Sequence, residues 1–260
     1  MNLLAARVVL RQRSMSDALD LALPFCLANK RPLGVLALVM LSPIAALLAV
    51  LRLRAHWSWV AIWFLCAGLS LIVEGAFTVA LGELLFKPPG ETRVRSFVGR
   101  YLRRLPALLF AAFVRGLMVI CTLLILAPTS IFVTEAMLLE GAPFGRALAR
   151  SRALARNRVG FCLGVWLATV FLPALGATSI DLLGNALTSF VLQLGYPTGE
   201  LFSDGGSGFA VFGALLAVPL VAAARFLGYV DLRTRKEGWD IQLRFVALAE
   251  QSALGRRRAA

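Results

Sequence analysis

The chain alternates long apolar runs with short arginine-rich blocks, and the run lengths predict how often it crosses a bilayer. Predominantly apolar stretches cover residues 33–51, 57–81, 105–126, 160–178 and 208–230. Each is near the roughly 20 residues that a helix needs to span the hydrocarbon core. Residues 129–140 form a further apolar block after Pro128, too short for an ordinary crossing and suited to a re-entrant segment. The pattern predicts an all-α integral membrane bundle of about six membrane segments, built as a single membrane domain over residues 1–260.

Basic residues cluster in residues 7–31, 87–104, 146–158 and 233–258, whereas residues 180–207 hold no Lys or Arg but three acids, Asp181, Glu200 and Asp204. Because Lys and Arg are retained on the cytoplasmic side, the basic blocks and both termini are expected inside, in a bacterial inner membrane. Arg52 and Arg54, at the far end of the first span, are the exceptions, and snorkelling to lipid phosphates accommodates them.

Three of the blocks read as amphipathic helices lying at the cytoplasmic face, over residues 14–31, 91–104 and 143–158, each followed by a hydrophobic hairpin. In the first, Ser14 is a plausible N-cap, and Met15, Ala18, Leu19 and Ala22 form an apolar stripe that Pro24 should kink. In the second, Val94, Phe97, Val98, Tyr101 and Leu105 share a face. In the third, Phe144, Ala147, Leu148, Ser151, Leu154 and Ala155 do. Arginines cover the opposite faces, which favours anionic lipid by about 1 kcal/mol per charge near the surface. Arg95, Arg100, Arg103, Arg104, Arg146, Arg150, Arg152 and Arg156 are therefore the candidate lipid-binding or docking residues. Asp231, Arg233, Arg235 and Glu237 join them at the start of a cytoplasmic tail over residues 231–260.

Composition agrees with this class. With 59% apolar residues and a mean hydropathy of +0.80 over 260 residues, too little polar surface remains to cover a soluble globule. The net charge of +13 would suggest a nucleic-acid partner in a soluble chain, but its placement between apolar runs makes it a membrane charge. Cys26, Cys66, Cys121 and Cys162 lie far apart, and His56 is the one histidine, beside Trp57 and Trp59. No metal-ligand spacing, phosphate-binding loop or catalytic triad order is present, so neither a cofactor nor an enzymatic activity is expected.

Ionisable residues within spans cost several kcal/mol and face protein or water. Counted from the inner ends of their helices, Glu74 and Arg115 come to similar depth near mid-bilayer, and Glu135 and Arg225 to a shallower level. Two intramembrane pairs are expected, serving either to lock helix register or to line a transport route. In the second span Gly68, Gly75 and Gly82 recur every seven residues, a spacing that permits close helix approach.

Two stretches carry a family resemblance. Residues 134–141 (TEAMLLEG) leading into 147–154 (ALARSRAL), and residues 229–240 (YVDLRTRKEGWD), resemble a bacterial family of polytopic membrane proteins related to the membrane domain fused to some glycerophosphodiester phosphodiesterases. The resemblance extends over the topology, with these motifs as its specific part, and it implies partners among cytosolic ATPases or neighbouring membrane proteins. The fused hydrolase needs a histidine pair and metal-binding carboxylates, which a chain with one histidine does not offer. The expected role is a non-catalytic subunit or scaffold contacting anionic lipid and a protein partner through its basic face, with a small transporter using Glu74 and Arg115 as the alternative.

Overall fold

The computed structural model describes residues 15–86, 99, 101–103, 105–110, 113–114 and 127–237. Among these residues there is no strand. Four helices are long and apolar enough to cross a membrane: Lys30–Leu53, Trp59–Leu85, Val159–Val191 and Gly208–Lys236. The elements are α1 (Met15–Asp20), α2 (Ala22–Ala28), α3 (Lys30–Leu53), α4 (Trp59–Phe86), α5 (Val133–Glu140), α6 (Phe144–Ala155), α7 (Val159–Ala186, continued by a π-turn at Leu187–Val191) and α8 (Gly208–Glu237).

Proline sets the breaks at the start. A proline has no N–H to donate to the carbonyl four residues back, and its ring crowds that carbonyl. Pro24 therefore ends α1 at Asp20, and Pro32 ends α2 at Ala28. Of the expected stripe, Ala18 and Ala22 are buried and Leu19 half-buried; the interruption falls in the turn before Pro24 and a second one follows at Asn29. The Asn29 side-chain amide donates to Phe25 O at 2.9 Å across that second break.

Two of the expected segments are not among these four. Residues 105–126 lie mostly outside the described residues, so the expected six segments stand at four among those described. Residues 129–140 form a short 3-10 turn, Pro128–Ser130, and the eight-residue α5, about 12 Å of helix against a hydrocarbon core of about 30 Å. That block is apolar because protein surrounds it: Val133, Ala136, Met137 and Leu138 are all buried.

α8 is the axis of the bundle. Its most apolar window is 72% buried, against 39% for α4 and 22% for α3 and for α7, so α8 is wrapped by protein while the others turn broad faces outward. It packs most closely on α7, where Gly176 meets Gly213. A Cβ on Gly176 would stand 2.6 Å from Gly213 O, and one on Gly213 would collide with Gly176 O. In lipid, where apolar side chains are not driven together by water, such backbone approach is what holds helices. Of the evenly spaced glycines in α4, a Cβ on Gly75 would stand 2.9 Å from Tyr101 Cε2 and one on Gly82 2.7 Å from Leu139 Cδ2, whereas a Cβ on Gly68 would meet nothing within 4 Å among the described residues.

α6 has one face turned inward. Ala147, Ser151, Leu154 and Ala155 are buried, Phe144 and Leu148 half-buried, and Arg146, Arg152 and Arg156 exposed. That inner face rests on protein rather than on lipid, and the Ser151 hydroxyl donates to Thr129 O at 2.8 Å. In the block over residues 91–104, Tyr101 is buried and donates its hydroxyl to Ile72 O, Arg103 is exposed, and Arg95, Arg100 and Arg104 lie outside the described residues.

Candidate functional site

Three helices bring one guanidinium and two carboxylates together inside the bundle. Arg225 of α8 donates through Nη1 to Glu74 Oε1 of α4 at 2.8 Å and through Nη2 to Ile131 O at 2.7 Å. Nη2 also lies 2.9 and 3.0 Å from the two oxygens of Glu135 on α5 and is hydrogen-bonded to Oε2. Arg225, Glu74 and Glu135 are 3%, 6% and 0% exposed, so water screens none of them. Arg225 Nε is buried without a hydrogen-bond partner.

Glu135 and Glu74 share the guanidinium of Arg225, and Arg115, the expected partner of Glu74, lies outside the described residues. Helix length brings Glu74 and Arg225 to one level. α4 runs on to Phe86 and α8 to Glu237, past the ends expected from hydropathy. Glu74 and Arg225 each stand twelve residues before those ends, about 18 Å deep in both helices at the standard rise.

Beside the triad lies a cavity of about 420 Å³ whose wall includes Trp63, Ser70, Glu74, Trp166, Thr169 and Arg225. Pro173, also in its wall, has no N–H for the carbonyl of Thr169. The lining is otherwise mainly apolar, a surface suited to an apolar body with few polar contacts.

A second cluster sits where the helices reach the basic end. Glu140, closing α5, takes Arg150 Nε at 3.3 Å and Arg233 Nη1 at 3.4 Å, and accepts a hydrogen bond from the Tyr229 hydroxyl. Arg235 Nε pairs with Asp231 Oδ2 at 2.7 Å one turn earlier on α8. Four residues expected at a docking surface, Arg150, Asp231, Arg233 and Arg235, are thus engaged within the chain, and Arg150 and Arg233 tie α6 and α8 to α5 through Glu140. Glu237 is the last residue of α8. Glu140 and Tyr229, the centre of this cluster, were missed as site residues. Both stand inside the two quoted motifs, and the signal available was an acid between two arginine-bearing segments.

Among the described residues no three His, Cys, Asp or Glu side chains come together as a metal site. Among the described residues, fold and site define an all-α protein with four helices long and apolar enough to cross a membrane and a buried Glu–Arg–Glu triad. No protein-family model, curated protein or solved structure matches it.

Proposed function

We propose that the chain is a non-catalytic subunit or scaffold of a bacterial inner-membrane assembly, and that the arginine face of α6 is its platform for a cytosolic or membrane partner. The supporting observation is that α6 has its apolar face filled by the chain's own core, with Ala147, Ser151 and Leu154 buried, while Arg146, Arg152 and Arg156 are exposed. A helix that only anchored the chain would turn its apolar face to lipid. Here the helix is clamped by Ser151 to Thr129 and by Arg150 to Glu140, which holds its arginines in one orientation and lowers the ordering cost of binding.

In this reading residues 129–140 form a re-entrant elbow, residues 105–126 complete the membrane segments, and the basic end faces the cytoplasm with both termini. The likeness of residues 134–154 and 229–240 to the polytopic family named above points the same way. A small transporter is the second reading, favoured by the cavity that reaches both Glu74 and Arg225.

The test is purification in mild detergent from cells at native expression, comparing wild type with Arg146→Glu/Arg156→Glu. Arg150 is left intact because Glu140 uses it. A companion that travels stoichiometrically with wild type and is lost from the variant, at unchanged melting temperature, supports the platform. Wild type eluting alone rejects it, and ion or solute flux in vesicles that depends on Glu74 turns the choice to transport.

A further inference from the structure

The end of the bundle opposite the arginine face carries one cation whose surroundings are unlike those of the others. Arg52, one residue before the end of α3, lies with its guanidinium carbon 4.5 Å from the centre of the Trp59 ring and donates Nη1 to Trp57 O at 2.9 Å. No carboxylate is within ion-pair distance of it among the described residues. The acids of that end are engaged elsewhere: Asp181 with Ser207, Asn185 and Leu201 N, Asp204 with Glu200 N, and Glu200 with Ser203. An indole face and a backbone carbonyl thus hold a guanidinium in place while its charge is unmatched, the preparation that suits an oxyanion.

Below Arg52 runs an apolar slot of about 130 Å³ between α3, α4 and α8. The small side chains of Ala45 and Ala49 open it on the α3 side, and Leu48, Ile62 and Leu215 close its back. From Ala45 to Arg52 is seven residues of helix, about 10 Å along the bundle axis. The wall at the Arg52 end includes Thr198, whose hydroxyl oxygen is buried without a hydrogen-bond partner.

We propose that this slot is a binding site for one anionic phospholipid, its phosphate on Arg52, a glycerol-ester oxygen on the Thr198 hydroxyl and the first methylenes of an acyl chain in the slot. Three features select that occupant. The slot runs with the spanning helices, as a lipid tail does. The polar groups stand together at one end of it, where a headgroup sits. Trp57 and Trp59 belong at that interface depth.

Native mass spectrometry of the detergent-purified protein tests the site. Phosphatidylglycerol and phosphatidylcholine with identical chains are added to wild type, Arg52→Gln and Ala49→Phe. The arginines of the opposite end also attract anionic lipid, so the readout is the number of phosphatidylglycerol molecules retained per chain. It should fall by one in both variants, with the affinity of that one lipid weakened at least about tenfold by Arg52→Gln. The same count for Arg52→Gln and wild type, or no preference of wild type for the glycerol headgroup, overturns the proposal. Displacement by glycerol phosphate at the lipid's own concentration also overturns it, making the site one for a free phosphate. If Ala49→Phe does not fold, the headgroup preference of wild type and its loss in Arg52→Gln decide alone.

Discussion

Replacing Arg225 by Met keeps much of the side-chain length and removes the charge that both Glu74 and Glu135 contact. In wild type the guanidinium makes contacts of 2.7–3.0 Å with Glu74, Glu135 and Ile131 O, at 3% exposure. Without it, two buried carboxylates face one another across the vacated space. Removing one partner of a buried ion pair costs about 3–5 kcal/mol, because the remaining charge is left uncompensated in a low dielectric. At about 2–4 °C per kcal/mol for a chain of this size, the melting temperature in detergent should fall by about 6–20 °C. Glu74→Gln retains an acceptor for Nη1 and weakens that bond by its charge assistance, about 1 kcal/mol, so a drop of a few degrees is expected. The triple variant Glu74→Gln/Glu135→Gln/Arg225→Met removes every charge of the triad and should recover much of the loss, since a buried pair replaced as a unit is often neutral in stability. Cys66 and Cys162 are 2% and 0% exposed, so a thiol-reactive dye reports their release as the bundle melts. An Arg225→Met protein melting within about 2 °C of wild type would refute the reasoning, as would a triple variant weaker than Arg225→Met alone.

Other substitutions test the remaining contacts. Gly176→Ala should push α7 from α8, because its Cβ would lie 2.6 Å from the Gly213 carbonyl oxygen; a loss of about 1–3 kcal/mol is expected from overpacking against backbone, read in the same melt. Gly68→Ala, with nothing within 4 Å among the described residues, should leave the melt unchanged or raise it slightly through helix propensity. Ser151→Ala removes the hydroxyl that clamps α6 to Thr129 and should cost about 1 kcal/mol, with faster hydrogen exchange confined to α6 and α5. Glu140→Ala removes the carboxylate that Arg150 and Arg233 share and the acceptor of the Tyr229 hydroxyl; the partly exposed ion pairs contribute little, but Tyr229 is 1% exposed and its hydroxyl loses its acceptor, so a loss of about 1–3 kcal/mol is expected, with quicker proteolysis within residues 141–158.

Hydropathy and length alone point to helices able to span a membrane near residues 33–51, 57–81, 160–178 and 208–230, which the described residues contain, because crossing about 30 Å of hydrocarbon imposes a run of apolar residues that any reader of the sequence can measure. The buried face of α6 was equally legible: Ala147, Ser151 and Leu154 follow the helical period within one short segment. The tertiary structure alone decided which spanning faces meet. Lipid is as apolar as leucine, so a helix such as α4, apolar all round, does not announce its inner side through its pattern. The sharing of one guanidinium by Glu74 and Glu135 depends on the depth and rotation of three helices separated by long stretches of chain, and local periodicity carries neither quantity. The contact of Gly176 with Gly213 and the convergence of Arg150, Arg233 and Tyr229 on Glu140 are hidden for the same reason. Each is a match between distant segments that exists only once the helices have packed.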